Sequence, residues 1–300
     1  MKINVPGPLK LVLKAALTIG ALWFVFSKIP LREVVESARG LSPWPLIPAL
    51  LFFILSKYLS AIRLNLFFFK TGIGISSRFN IKLYLLGMFY NLFLPGGIGG
   101  DGYKIFLLNR KSGVKGTRIL WAVLADRIIG VLALAVLGVL LYYFTPLDAG
   151  IWQGFIWLLI PLGLGATWLA TKKFLPQFTQ VFGRSTLISL GVQFAQLGSA
   201  LLILTSLNVQ HDLESYLFLF LVSSIVAMLP ITIGGIGSRE LTFLLGAGML
   251  GLHTGTAVAL SLIFYLLSLV VSLSGLLYVL RPGELRIEKK EAAPVGIQEI

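Results

Sequence analysis

Long apolar runs of up to 28 residues recur along this chain of 300 residues and limit what it can fold into. About 20 apolar residues in a helix span the hydrocarbon core of a bilayer. Because each run is continuous and does not alternate with polar residues, the pattern predicts membrane helices and excludes a transmembrane barrel. Charged residues make up only 12% of the chain, against roughly 25% in soluble domains. The expected fold class is therefore an all-α polytopic membrane protein.

Six apolar runs are long enough to cross a bilayer as single helices: residues 9–26, 44–69, 117–144, 151–170, 185–207 and 254–280. No signal-peptide cleavage site follows the first run, so we expect it to remain as a span. Two further apolar segments, residues 79–109 and 212–252, are broken near the middle by a proline and several glycines. We expect a single transmembrane domain over residues 1–282 and a disordered cytoplasmic tail over residues 283–300.

The two broken segments share one pattern, LPxxIGGxGx(K/R)xxxxLL, which occurs twice at a constant offset of 135 residues. Apolar residues match easily in such a chain, but a proline, three glycines and a basic residue in register do not. The basic residue is Lys104 in the first copy and Arg239 in the second. The flanking spans also correspond, which predicts two repeated halves at about residues 8–144 and 151–281.

The basic residues predict how the two halves are oriented. If each broken segment is a re-entrant hairpin, each half has three full spans, and the second half is inverted relative to the first. Placing both termini in the cytoplasm then puts 17 of the 25 Lys and Arg residues inside, 3 outside and 5 within apolar regions, as the positive-inside rule requires. We expect a multi-pass protein of the bacterial inner (plasma) membrane. In the rival topology both broken segments cross once, and the cytoplasmic loop at residues 145–150 then has no basic residue.

Hairpins that enter from opposite faces bring their glycine-rich tips together near the midplane, where inverted-repeat transporters bind substrate. Each tip precedes a helix expected to start near Gly102 or Gly237, and helix N-termini favour anions. Lys104 and Arg239 add positive charge one turn into these helices. The alternative is that the glycines serve only tight turns and close helix packing. The candidate anion-binding residues are Gly96, Gly97, Gly99, Gly100, Lys104, Gly234, Gly235, Gly237 and Arg239.

Charged side chains elsewhere in the apolar segments are expected to find partners, because an unpaired charge at the centre of a membrane helix costs roughly 2.5–3.5 kcal/mol. Adjacent residues point about 100° apart on a helix, so Asp126 and Arg127 are expected to use different partners. A purely structural ion-pair network is the alternative to a transport path. The candidate pairs are Asp126 with Lys104 or Arg63, and Arg127 with Asp101 or Glu240.

Asp101 and Glu240 have no counterparts in the repeat, which makes them candidates for proton or cation coupling; helix capping is the competing role. On the second span, Lys57 and Arg63 are placed to line a path, although Arg63 lies close enough to the inner end to extend towards the interface. Interhelical hydrogen bonds explain four further polar residues as well as substrate contact does: Asn91, Gln193, Gln196 and Ser199. The candidate polar path comprises Asn91, Asp101, Asp126, Arg127, Glu240 and Arg63.

The composition excludes several kinds of site. The chain has no Cys and only two His residues, His211 and His253, so we expect neither a metal centre nor a cofactor. The longest polar stretch is the tail after Arg281, which is too short to fold as a catalytic domain. On a membrane protein the net charge of +13 reports topology, so no nucleic-acid partner is expected.

Three motifs resemble the lysylphosphatidylglycerol synthase transmembrane-region family: NLFLPGGIGGDGYK at residues 91–104, ADR at residues 125–127 and LPITIGGIGSRE at residues 229–240. That family includes the flippase half of the bacterial multiple peptide resistance factor and stand-alone proteins of about this size. The resemblance extends over roughly residues 10–281. It departs from the family in having Lys three residues after the GGD aspartate, where Arg is frequent, and Asp-Arg where many members have Glu-Arg. Because no synthase domain accompanies these motifs, the resemblance implies lipid translocation or lipid binding and not lipid synthesis.

Taken together, the sequence favours a lipid flippase-like transporter that is not an enzyme. It would move or bind an anionic or phosphate-bearing lipid, either a phospholipid or a polyprenyl-linked lipid, at a midplane site. One alternative is a membrane-embedded enzyme that modifies a lipid phosphate, for which Asp101 is the candidate nucleophile. Another is an accessory subunit of a glycosyltransferase or lipid synthase. The expected partners are membrane lipids and, in the last case, a membrane enzyme.

Overall fold

The computed structural model describes residues 34–36, 39–93, 99–229 and 237–281, together with Ile19, Trp23, Gly283 and Leu285. All regular secondary structure in these residues is helical. Short 3-10 helices at Gly150–Leu158 and Pro176–Val181 lead into the fifth and sixth α-helices. The α-helices are α1 (Leu46–Lys70), α2 (Ser77–Phe93), α3 (Gly99–Ser112), α4 (Gly116–Tyr142), α5 (Leu159–Phe174), α6 (Phe182–Ser206), α7 (Leu213–Met228), α8 (Ser238–Leu250), α9 (Thr254–Leu273) and α10 (Leu276–Leu280).

Five predicted spans are confirmed as helices long and apolar enough to cross a membrane: Leu46–Lys70, Gly116–Tyr142, Gly150–Phe174, Pro176–Ser206 and Thr254–Leu280. The protein therefore has an all-α polytopic membrane fold. The span predicted at residues 9–26 lies outside the described residues except for Ile19 and Trp23. The predicted tail at residues 283–300 also lies outside them, except for Gly283 and Leu285.

The first glycine-broken segment consists of α2 and α3, which run antiparallel and form what we call the first hairpin. Asn91, near the end of α2, accepts a hydrogen bond from the backbone of Gly100, near the start of α3. Earlier in α2, the ring of Tyr84 lies under the Lys104 amine, which is later in α3. The arms touch through their backbones, because a Cβ added to Gly100 would overlap the carbonyl oxygen of Gly87. The close-packing interpretation of the glycines is thereby confirmed for Gly100.

The second broken segment, α7 and α8, has the same antiparallel arrangement and is called the second hairpin. Ser224 of α7 accepts a hydrogen bond from Arg239 at the start of α8. Leu219, earlier in α7, packs against Gly246, later in α8, and leaves no room for a Cβ there. The tips at residues 94–98 and 230–236 lie outside the described residues. That the hairpins are re-entrant in the membrane, and that the halves are inverted, stay predictions.

The two halves pack against each other through several pairs of helices. The most extensive contact is between α1 and α6, while α4 packs on α7 and α9 packs on α2. Small residues buried on the facing surfaces let membrane helices approach closely; here they include Ser56 and Ser60 on α1, and Ser185 and Ser189 on α6. The contact of α4 with α7 therefore has its counterpart in the contact of α9 with α2 when the halves are exchanged.

The apolar core is divided into two clusters with polar side chains between them. On α1, Phe53 belongs to one cluster and Phe67 to the other. Between these two positions α1 buries Ser56, Ser60 and Arg63. Because polar groups buried at this depth need partners, this polar layer is where the charged residues of the chain meet.

Candidate functional site

A polar cavity of about 340 Å³ lies between the two halves, within the usual size range of ligand pockets. We call it the central cavity. The cavity reaches Lys57. This residue lies near the middle of α1, about 17 Å along the helix axis from Leu46, the first residue of the helix. The cavity is lined by seven charged residues drawn from both halves: Lys57, Arg63, Asp101, Asp126, Arg127, Arg239 and Glu240.

Arg63 and Asp126 form a two-pronged ion pair in the cavity wall. The Nε of Arg63 lies 2.7 Å from Oδ1 of Asp126, and Nη2 lies 3.0 Å from Oδ2. The remaining Nη1 donates to the hydroxyl of Ser189 at 2.7 Å, which joins α1, α4 and α6. Of the two predicted partners for Asp126, the structure selects Arg63. Arg63 lines the cavity, as the candidate path requires. It does not take the alternative position extended towards the interface, because its planar fork finds a matching carboxylate inside and leaves it only 6% exposed.

Asp101 is held between two basic residues. Arg127 donates Nε to Oδ2 at 2.7 Å, and Lys104 donates to Oδ1 at 3.1 Å. This confirms Asp101 as the partner of Arg127. The capping role considered for Asp101 stays a prediction, because the residue before α3 lies outside the described part of the chain; the N–H of Gly100 is satisfied at 2.7 Å by the side chain of Asn91.

Lys104 does not occupy the place that the repeat predicts for it. Besides its ion pair with Asp101, its amine lies 4.4 Å from the ring centre of Tyr84. Its exposed fraction is 4%, and it is not part of the cavity lining. Lys104 thus faces its own hairpin, although its repeat equivalent Arg239 lines the cavity.

Arg239 is held by aromatic rings and a hydroxyl. Its guanidinium carbon lies 4.6 Å from the ring centre of Phe264 and 4.9 Å from that of Phe220. Its Nη2 donates to Ser224 at 3.0 Å, and its Nε has no hydrogen-bond partner. Within the described part of the chain, no carboxylate forms an ion pair with Arg239.

Glu240 caps the start of α8, as one of its two predicted roles requires. Its Oε2 accepts from the backbone N–H of Gly237 at 2.7 Å. Its Oε1 accepts from the hydroxyl of Ser261 in α9 at 2.8 Å. Both carboxylate oxygens are therefore engaged while the side chain lines the central cavity.

Lys57 is a second cavity cation without a carboxylate partner among the described residues. Its amine lies 4.5 Å from the ring centre of Phe53. That ring packs edge-on against Phe264 at 5.3 Å, and Phe264 packs against Phe220 at 4.7 Å. We call these three rings the phenylalanine cluster. The sequence identifies Lys57 as a candidate because it is a charged residue in the middle of an apolar span. It does not predict the phenylalanine cluster, because the three rings come from three helices that are distant in the sequence.

The remaining predicted site residues fall into three groups: those that line the cavity, those that lie outside its lining, and those outside the described part of the chain. Every member of the candidate polar path lines the cavity, as do Gln193 and Gln196, and the amide oxygen of Gln193 has no partner. Ser199 is buried away from the lining. Of the candidate anion-binding residues, the described lining includes only Arg239. Gly99 begins α3, and Gly237 precedes α8 with a φ of 86°. Four predicted residues lie outside the described part of the chain: Gly96, Gly97, Gly234 and Gly235.

The helical fold and this shared cavity define a polytopic membrane protein with a charged site between two packed halves. The family model for the lysylphosphatidylglycerol synthase TM region matches residues 11–179 and 169–275, which covers most of the chain. The chain belongs to that family, and the resemblance of its motifs is confirmed. No curated protein matches the chain.

Proposed function

We propose that the chain is a flippase-like lipid transporter that binds a phosphate-bearing lipid head in the central cavity and moves it between leaflets. The observation that carries this proposal is the pair of cavity cations, Lys57 and Arg239, which no described carboxylate neutralises. A charge buried at membrane depth is costly and needs compensation. An anionic head entering the cavity supplies that compensation.

The remainder of the lining suits an amphiphilic ligand. Apolar side chains share the cavity with the charged ones: Met88, Leu92, Leu134, Val192 and Met228. A lining of this mixed kind contacts the polar head group of a lipid with its charged side chains and the adjoining hydrocarbon of the lipid with its apolar side chains. Family membership supports a lipid as the source of such a ligand.

The surroundings of Asp101 favour transport over lipid-phosphate chemistry. A carboxylate nucleophile needs an oxygen free to attack. Oδ1 of Asp101 is bound to Lys104 and Oδ2 to Arg127. In this arrangement the carboxylate holds the first hairpin to α4, which supports a transporter without catalytic activity.

We place this transporter in the bacterial inner (plasma) membrane with both termini in the cytoplasm. The 17-to-3 division of basic residues supports that orientation. Two inverted halves with re-entrant hairpins would then present the central cavity alternately to each side, with the two hairpins as the moving parts.

Translocation of labelled anionic phospholipid in proteoliposomes tests the proposal. We expect the wild-type chain to accelerate translocation and the double variant Lys57→Met, Arg239→Gln to fall to the protein-free rate. The reason is that two close charge contacts, each worth roughly 1.5 kcal/mol or more, are lost. The matched control is Lys70→Met with Arg184→Gln, which removes one Lys and one Arg from positions outside the cavity lining. A double variant as fast as wild type, with the wild-type unfolding temperature, refutes the site.

A further inference from the structure

The charge balance around the central cavity indicates which phosphate group it accepts, an inference that rests on the proposed function. Ion pairs and lining residues there comprise five basic side chains: Lys57, Arg63, Lys104, Arg127 and Arg239. They comprise three acidic ones: Asp101, Asp126 and Glu240. Within the described part of the chain the site therefore has two positive charges in excess.

The excess is shared between the ion-paired residues and the unpaired cations. Two carboxylates, Asp101 and Asp126, bind three of the five basic residues. Glu240 is occupied by a backbone N–H and a hydroxyl. Lys57 and Arg239 form no ion pair with a described carboxylate, and both line the cavity.

The phenylalanine cluster contacts both cations through its ring faces. A ring face attracts a cation through its quadrupole and does not neutralise it. The cluster is continuous from Phe53 through Phe264 to Phe220, so it holds Lys57 at one end and Arg239 at the other. Carboxylates in these places would cancel the charge, whereas rings preserve it for a ligand.

Unpartnered polar atoms point to a ligand that both accepts and donates hydrogen bonds. The Nε–H of Arg239 is buried without an acceptor. Gln193, which is 4% exposed, lines the cavity and has an amide group with an unsatisfied oxygen. A phosphate oxygen fits the first of these and a ligand hydroxyl fits the second.

We propose that the central cavity selects a lipid whose head carries two negative charges on phosphorus, a phosphomonoester or a diphosphate, over a phosphodiester. A phosphodiester has one negative charge, and a phosphomonoester has about −1.5 to −2 at pH 7. The dianionic head is the one that matches two excess positive charges. A cavity of about 340 Å³ has room for such a head with one small polar substituent.

Two lipids with identical acyl chains test this selectivity: dioleoyl phosphatidic acid, a phosphomonoester, and dioleoyl phosphatidylglycerol, a phosphodiester. Binding to the purified full chain is measured by native mass spectrometry, with phosphatidylcholine as the zwitterionic reference of zero net charge. We expect phosphatidic acid to bind at least about tenfold tighter than phosphatidylglycerol at pH 8, because one further close charge pair forms. The ratio should fall towards one at pH 5, since the second phosphate proton binds near pH 6 and the described lining contains no histidine.

Variants of the two cavity cations test whether they cause the preference for phosphatidic acid over phosphatidylglycerol. Lys57→Met and Arg239→Gln are each expected to abolish it, whereas Lys57→Arg, which keeps the charge, and the surface controls Lys70→Met and Arg184→Gln should preserve it. A preference that survives both cavity variants overturns the inference, as does a preference unchanged between pH 8 and pH 5.

The failure of this inference is distinguishable from that of the proposed function. Equal binding of the two anionic lipids, lost in the double variant, refutes selection of a dianion and leaves an anionic-lipid site. Binding of neither lipid above phosphatidylcholine refutes both. Inorganic pyrophosphate added alone distinguishes a lipid head from a free phosphate. If pyrophosphate binds as tightly as phosphatidic acid, the cavity recognises the free ion and the lipid assignment fails.

Discussion

Two basic residues six positions apart on α1 are held in the protein by different means. Arg63 meets the carboxylate of Asp126, and Lys57 meets the ring of Phe53. The sequence predicted the first contact as one of two alternatives, because a buried charge needs a counter-charge and few are available. It did not predict the second, because any of the 21 Phe residues could supply the ring. Selecting the partner requires the helix packing itself.

The Arg63–Asp126 pair leads to a prediction about stability. Asp126→Asn leaves Arg63 buried with no carboxylate, and removing one partner of a buried pair costs roughly 3–5 kcal/mol. Replacing both residues, as Arg63→Met with Asp126→Leu, removes the unpaired charge and should cost less than the single change. Thermal unfolding in detergent measures both. Asp148→Asn in the exposed loop before the fifth helix is the control, and an Asp126→Asn protein as stable as this control contradicts the prediction.

At the scale of elements, the two hairpins show how far a repeated motif predicts structure. The sequence predicted two matching broken segments, and each is an antiparallel helix pair. It also predicted equal roles for Lys104 and Arg239, and these differ because their neighbours differ. Asp101 follows the glycines of the first hairpin and binds Lys104, whereas Ile236 stands at that place in the second copy. A single acidic residue therefore breaks the functional symmetry of the repeat.

Glycines within one motif should differ in their tolerance of a side chain. A Cβ at Gly100 overlaps the backbone of Gly87, so Gly100→Ala forces α2 and α3 apart. Overpacking of this kind typically costs about 1–3 kcal/mol. Gly102 has open space around it, so Gly102→Ala should be neutral or stabilising by up to about 1 kcal/mol.

Thermal unfolding of these two variants in the same detergent makes the comparison, because both add a single methyl group to α3. Equal stability of the two proteins would contradict the close approach of the helix arms. The sequence alone does not rank these glycines, since they are two residues apart in the same motif. The ranking follows from which of them faces α2.

For the whole molecule, the antiparallel arms bear on the path of the chain through the membrane. An element that turns back on itself brings its two outer ends to one side, which is the condition for inverted halves. A single crossing requires the two arms of a broken segment to continue in one direction. The contacts within α2–α3 and within α7–α8 run the other way. They support the inverted arrangement, and the distribution of basic residues supports it independently.

Single-cysteine labelling distinguishes the two topologies, and the chain has no native Cys to interfere. The inverted arrangement places Ser112→Cys and Lys173→Cys in the cytoplasm, and Pro146→Cys and His211→Cys outside; all four positions are exposed. The eight-span alternative reverses all four, because each broken segment then contributes one crossing. A membrane-impermeant maleimide applied to intact spheroplasts should therefore label the second pair only, and lysis should expose the first. Labelling of Ser112→Cys and Pro146→Cys from the same side would exclude a single full crossing by α4 and with it the inverted arrangement.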